Sequence, residues 1–434
     1  MSGAAYVDHL NHSFFSGGLS PDVAERLAAL PVDRADVRAF IERMCRLMAR
    51  AGLGPTDLSP LQGDVLGVLL SRLLPDTWEG RVPPITVAGR HQRIDLMVDR
   101  VMAAEGRRAG TLLDVACGFP PVTTVDTANA LTGWSITGLD RSLPAYLVHD
   151  ASGNYAVFDG DGRATYFQPL VPSAEAWTAL LADWHATRRR FESLLMTLLE
   201  ERTRRSSDAD RFEHEGATLE ANPVRAFERP NLRFVQSDLE TAQQDAADVV
   251  RCFNMLLYFD DGFRTESMAV FGGLLREGGL LVCGTDWAHT TESRYFTYRK
   301  RGGRLQDGEF AFSLDNVTPI AIIPWYTLHD DDREALLLAE LTGILRSNRP
   351  FRENLLAATD ALRAEHGVCP RRPDGYYDGI AEGLPQVELW NRVGAIADHL
   401  CDHELGHQAV AVLRSAGWRA RLNEVGHVAV AVGD

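Results

Sequence analysis

The sequence predicts an α/β protein built on a parallel sheet with helices on both faces. Three observations carry this: five short apolar runs, polar residues closing them, and helical stretches between them. The runs are TLLDVACG from Thr111, WSITGLD ending in Asp140, NLRFVQSDLE containing Asp238, ADVVRCFNMLLYF from Ala247 and GGLLVCGTD ending in Asp286. Continuous apolar strands suit a parallel sheet buried on both faces, which binds ligands at the carboxyl ends of its strands.

Composition narrows the function. The 434 residues, 45% hydrophobic and 24% charged, are those of a folded soluble protein. A net charge of −16 argues against a nucleic-acid partner, which requires a basic surface, and leaves a small-molecule substrate as the expectation. Lys300 is the single lysine, and this arginine bias fits GC-rich, bacterial coding. The six cysteines form no C-x-x-C pair, no signal sequence opens the chain and no run reaches membrane-spanning length, so a reducing cytoplasm and no membrane association are expected.

Residues 1–108 read as a helical region. Ser20-Pro21 caps DVAERLAAL; ADVRAFIERMCRLMARAGL, SPLQGDVLGVLLSRLL and RHQRIDLMVDRVMAAEG follow at helical spacing. Residues 109–434 then form the sheet domain, with long inserts at about 143–229 and 288–400. The first insert predicts a hairpin, GNYAVFDGDGRATYF, and one long amphipathic helix from EAWTALL to EERTRR. The second opens with a hairpin, YFTYRKRGGRLQDGEFAFSL, followed by helices. Such inserts serve as lids over a ligand or as subunit contacts, so a homodimer is one expectation. The chain closes with a helix through Ser415, an Ala416-Gly417 stop, a strand at WRARLNEV, a turn at Gly426 and a strand HVAVAV.

LLDVACGFPPVTTVDTA sets a tight turn between the first strand and a helix. Gly118 lets the backbone approach a ligand, and the helix near Thr123 offers unpaired N–H groups. Asp140, at the end of the next strand, can accept hydrogen bonds from both hydroxyls of a ribose. In this order the pieces resemble the class I S-adenosylmethionine-dependent methyltransferases, over Thr111 to Asp140, Asn231 to Trp287 and the last thirty residues or so. The resemblance implies a Rossmann-like sheet and S-adenosyl-L-methionine as cofactor. Asp114 stands at the acidic place of the family's acidic-x-Gly-x-Gly-x-Gly motif, with Ala116, Gly118 and Pro120 at the glycine places, so Gly118 alone retains the glycine. It implies a cofactor site of Asp114, Ala116, Cys117, Gly118, Asp140, Arg141, Ser237, Asp238, Leu239 and Asn254. Asp140 takes the place of the ribose acid, Asp238 that of the adenine acid, and Asn254 a place near the reacting group. RCFNMLLYF and LLREGGLLVCGTD locally resemble chemotaxis-receptor methyltransferases.

The expected activity is methyl transfer to a small-molecule acceptor, for example a natural-product intermediate. Asn254, Tyr258, Asp286 and His289 are candidate catalytic residues, and His149 is a further candidate base. An enzyme that cyclises the aminobutyryl chain of the same cofactor and releases methylthioadenosine is the alternative. A nicotinamide site is disfavoured because ACGFPPV lacks G-x-G-x-x-G. HELGH at His403 to His407 matches the H-E-x-x-H of zinc peptidases, with Glu424 or His427 as third ligand. That reading leaves the five strands unexplained, so HELGH is read as the first turn of the closing helix, and no metal is expected.

Overall fold

The computed structural model describes residues 2–16, 18–73, 86–171, 174–239, 246–321, 323–402 and 404–433. Helices α1 (Gly3–Ser13), α2 (Pro21–Ala28), α3 (Ala35–Arg50), α4 (Pro60–Leu73) and α5 (Gln92–Ala104) open the chain. Four coincide with the sequence expectation; α1, capped by the Ser2 hydroxyl, adds to it. Ser20 caps α2 by accepting from the Val23 N–H, with Pro21 in the first turn.

The first sheet strands are β1 (Gly110–Val115) and β2 (Trp134–Asp140), separated by α6 (Val122–Ala130). Then come β3 (Tyr146–His149), β4 (Tyr155–Phe158), β5 (Ala164–Gln168), α7 (Ala174–Leu181), α8 (Trp184–Arg204), β6 (Arg211–His214) and β7 (Ala217–Ala221). The chain continues through β8 (Leu232–Gln236), β9 (Ala247–Phe253), α9 (Asp261–Leu274), β10 (Leu275–Thr285), β11 (Arg294–Arg301) and β12 (Arg304–Phe312). It ends with α10 (Arg333–Ser347), α11 (Arg349–His366), α12 (Gln386–Asp402), α13 (Leu405–Ser415), β13 (Ala420–Leu422) and β14 (Val428–Ala431).

Nine strands form the main sheet in the order β13-β14-β12-β11-β10-β9-β1-β2-β8. The five expected strands are its parallel part, β8-β2-β1-β9-β10. Side-chain alternation sorts that part into two layers. Leu113, Val115, Val250, Cys252, Leu281 and Cys283 face a core shared with α1–α4 and α9–α13. Leu112, Ile136, Val249, Phe253, Leu280 and Val282 face a second core with α5 and α6. The first hundred residues are therefore divided: α1–α4 pack with the C-terminal helices, whereas α5 lies against the opposite face.

Two local readings change. The hairpin β11–β12 pairs antiparallel with β10 and extends the main sheet. The closing hairpin β13–β14 consequently pairs through β14 with β12, four places from β9 in the sheet order. The single long helix expected in the first insert is two, because Asp183 breaks it and caps α8 by accepting from the Ala186 N–H. The hairpin expected before it is β4–β5, and with β3, β6 and β7 it makes a separate antiparallel sheet, β5-β4-β3-β7-β6. Phe158, Phe167, Phe191, Leu195 and Leu198 fill the core between this sheet and α8.

Candidate functional site

The parallel strands change direction of progression between β1 and β9: the chain moves from β1 outward to β2 and β8, then returns to β9 and β10. Loops leaving such neighbours part, and the crevice they open at the carboxyl ends of the strands is where open α/β sheets bind ligands. Residues 116–121 after β1 and 254–258 after β9 border it.

The loop after β1 is held open by its backbone. Ala116 and Gly118 have φ of 59° and 67°, a region that glycine enters freely and alanine only under constraint. The Gly118 N–H donates to Asp140 Oδ2 at 3.0 Å, and the Ser142 N–H donates to Asp140 Oδ1 at 2.8 Å. Asp140 thus ties the first loop to the end of β2. Burial raises its pKa, and the two amide bonds work against that rise. Each carboxylate oxygen keeps a lone pair for a further donor. Cys117 is buried, its thiol pushed up by burial and by the neighbouring acids Asp140 and Asp114. Arg141 and Asp238 are exposed, Ser237 and Leu239 partly buried, and the Ser237 N–H donates to the Asp140 carbonyl at 3.0 Å. The ends of β2 and β8 are thereby joined.

Asp114 is turned the other way. Its side chain lies in the second core, where Arg251 Nε donates to Oδ1 at 2.9 Å, Arg251 Nη2 to Oδ2 at 2.6 Å and the Thr124 hydroxyl to Oδ2 at 2.6 Å. Arg251 Nη1 reaches Asp95 Oδ1 of α5 at 2.6 Å, and the Thr127 hydroxyl donates to Asp95 at 3.0 Å. Two buried carboxylates therefore share one guanidinium. Burial pushes Asp95 up to about 6 despite the attraction of Arg251. Against the same burial, the charge and hydrogen bonds of Arg251 hold Asp114 below the usual carboxylate range.

A second cluster stands at the ends of β9 and β10. Asn254, at φ 56°, donates from Nδ2 to Asp286 Oδ1 at 2.9 Å and accepts the Asp286 N–H on Oδ1 at 3.1 Å. The other oxygen, Asp286 Oδ2, lies 2.8 Å from His91 Nδ1. The Arg90 guanidinium is 3.9 Å from Oδ1 and lies over the Trp287 ring, which meets Trp390 edge-on. Of the four candidate catalytic residues the structure brings Asn254 and Asp286 together. Tyr258 instead packs edge-on against Tyr326 and accepts from His329 through its carbonyl. His289 is wedged against α12, where a Cβ on Gly394 would fall 2.8 Å from its own Cβ, and burial lowers its pKa. His149 lies on β3 in the separate sheet, against Tyr155.

Sequence reading missed His91, Asp95 and Arg251. Arg251 carried a visible signal, a charged residue inside the apolar run DVVRCF; His91 and Asp95 read as an ordinary helix start. In HELGH, His403 lies outside the described residues, and Glu404 and His407 are exposed at the start of α13. His427 is buried with Nδ1 3.1 Å from the Tyr295 hydroxyl, and Glu424 pairs with Arg421.

A parallel β8-β2-β1-β9-β10 order with helices on both faces decides the fold. The fold is Rossmann-like. No family model matches the chain, and no curated protein matches it in sequence. Solved structures that align with this Rossmann-like chain include the N-methyltransferase NodS from Bradyrhizobium japonicum in complex with S-adenosylhomocysteine, at 12% identity over 51% of this chain and 72% of that one, TM-score 0.21. A putative S-adenosylmethionine-dependent methyltransferase from Methanococcus maripaludis aligns at 10% identity over 86% and 94%, TM-score 0.23. The amino pentose methyltransferase CalS10 from Micromonospora echinaspora, bound to S-adenosylmethionine, aligns at 16% identity over 54% and 72%, TM-score 0.22. Overlaps this low add nothing to the strand order, which carries the fold assignment by itself. No helix among the described residues is long and apolar enough to cross a membrane.

Proposed function

We propose that this protein binds S-adenosylmethionine in the crevice between the ends of β1 and β9 and transfers its methyl group to a small-molecule acceptor. The observation that carries this reading is the Gly118–Asp140 arrangement: a tight loop after β1 whose amide is bound to an acid at the end of β2. The donor set fits the cofactor. Asp140 has lone pairs left for the two ribose hydroxyls, and exposed Asp238, beside Leu239, suits an exocyclic amine on an apolar-faced ring. Ala116, Cys117 and Gly118 would border its amino-acid end, Arg141 and Ser237 its rim. Asp114, with both oxygens engaged, would act by fixing the loop.

The cofactor supplies a methyl group already activated by sulfonium charge, so the chain's work is alignment, exclusion of water and proton handling. Asn254, fixed by two hydrogen bonds to Asp286, would present the end of β9 to the reacting centre. The helical region 1–108 and the inserts at 143–229 and 288–400 would enclose the acceptor.

Calorimetry tests the reading. S-adenosylmethionine and S-adenosylhomocysteine are each expected to bind with a dissociation constant on the order of micromolar. Absence of heat with both ends the proposal. S-adenosylhomocysteine is expected to form only once an acceptor is supplied; methylthioadenosine accumulating from the cofactor alone would replace methyl transfer by cyclisation.

A further inference from the structure

We propose that His91, held by Asp286, is the proton acceptor of this site, and that the acceptor substrate is therefore a hydroxyl compound. The inference rests on the methyl-transfer reading and adds a residue and a substrate class to it. His91 and Asp286 are 195 residues apart in sequence, yet their side chains are 7% and 0% exposed and meet at 2.8 Å. A carboxylate can only accept, so the shared proton lies on Nδ1 and the lone pair of the neutral ring on Nε2. Nε2 makes no hydrogen bond among the described residues and is not among the sealed, unpartnered buried atoms. His427 shows the contrasting case, with its Nε2 fully enclosed and unpartnered.

The location follows from the topology. Helix α5 runs into β1, so its start, with His91, stands at the same end of the sheet as the strand carboxyl ends. The His91 ring packs 5.0 Å from the ring of Phe253, the last residue of β9, and Asn254 follows directly. Asp286 is not itself the free base, since its side chain is fully buried, with one oxygen facing Asn254 and the other His91, and offers no surface to a substrate. The pair instead has the geometry of an imidazole oriented by a buried acid, in which the carboxylate fixes the tautomer and stabilises the imidazolium that forms.

In the proposed step the acceptor's O–H proton passes to His91 Nε2. The oxygen–methyl bond forms as the carbon–sulfur bond breaks, the electron pair going to sulfur. Only an acceptor that must lose its proton before or during attack gains from such a base, which favours hydroxyl groups over amines with a free lone pair. The charged groups facing His91 are Asp286 after β10, Arg90 beside it in the chain, Asp95 one turn along α5, Asp114 on β1 and Arg251 on β9.

Imidazole-¹⁵N spectra of the full chain, with His91 assigned from His91→Gln, test this beside calorimetry with S-adenosylhomocysteine. A neutral His91 with Nδ1 protonated and Nε2 bare is expected, its resonances shifting when S-adenosylhomocysteine binds while those of His427 stay in place. Asp286→Ala should remove the tautomer preference. With S-adenosylmethionine and a panel of phenols and catechols, His91→Gln should lower turnover by about 100-fold and remove the acid limb of the pH profile, with S-adenosylhomocysteine affinity kept. A protonated Nε2, a His91 unmoved by bound ligand, unchanged turnover in His91→Gln, or no panel member accepted by the wild type overturns the inference. Absence of binding heat instead overturns the methyl-transfer reading beneath it.

Discussion

Two ends of neighbouring strands use the same residue type in opposite ways. Asp114, in β1, is sealed in the core with both oxygens on Arg251 and one also on Thr124. Asp140, at the end of β2, accepts backbone amides and keeps room for another donor. The difference arises from position along the strand and not from its face: Asp114 pairs with Gly138, so Asp140 lies on the same side of the sheet, one alternation period nearer the carboxyl ends. Asp114 shares the face of Leu112, under α5 and α6, whereas Asp140 ends its strand beyond those helices. An acid near a strand end is therefore sealed in the core or left open to a further donor according to which side of the last turn it occupies.

The largest expected effect tests the sealed side. Arg251→Ala leaves Asp95 and Asp114 buried without their cation, and should destabilise the fold by about 3–5 kcal/mol in denaturant unfolding. A loss below about 1 kcal/mol would show that water reaches this cluster and that the contrast with Asp140 is false.

Asp140→Ala tests the open side. It should weaken S-adenosylhomocysteine binding by about 1.5–3 kcal/mol, measured by calorimetry, through loss of charge-assisted hydrogen bonds. The same readout in Asp114→Asn should change by less. Equal losses in the two variants would make both acids ligand groups.

How much of this was legible follows from the range of each interaction. The five parallel strands were readable because each is a continuous apolar run, a local property. The attachment of β11–β12 to β10 was not, since the hairpin's own sequence is satisfied by pairing with itself and the partner strand is chosen by the whole sheet. Strands β3, β6 and β7, four or five residues each, are too short to show a period. The position of Asp140 at the end of the second strand could be read from the apolar run that it closes. The charge network could not, because His91 meets Asp286, and Asp95 meets Arg251, across 195 and 156 residues. Even Arg251, anomalous inside β9, named no partner.

His427 extends the contrast to a buried group with no counter-charge among the described residues. Burial, aided by the charge of Arg93, lowers its pKa from 6.5 to about 3. A depressed histidine pKa means that the unfolded chain binds the proton first. The stabilising contribution is complete above about pH 7.5 and is lost as pH falls through 6.5 toward 3. By linkage the loss is about 2 kcal/mol at pH 5. His427→Asn should flatten the fall in unfolding free energy between about pH 7.5 and 5 by that amount, whatever its effect at neutral pH. Contributions from the raised carboxyls Asp95, Asp315 and Glu334 have the opposite sign and cancel in the difference between variant and wild type. Parallel pH curves for the two proteins would place His427 in contact with solvent.

The smallest effect is the sharpest control on Asp140. Asp260 is also an acid that follows a central strand and accepts a backbone amide, the Phe263 N–H at 2.9 Å, as the N-cap of α9. Were amide capture the whole role of Asp140, the two acids would be equivalent. Asp260→Ala removes one helix cap on an exposed residue, so stability should fall by about 1 kcal/mol, with the bound N–H recovering part of its loss from water. Ligand affinity should not change, because Asp260 lies past the 3-10 turn at Leu256–Tyr258, beyond the residues that border the crevice. A cap that costs stability alone, beside an acid that costs binding, would separate the two uses of one hydrogen bond. A matching loss of S-adenosylhomocysteine affinity in Asp260→Ala would mean that Asp140 acts through the loop it holds and not through the ligand.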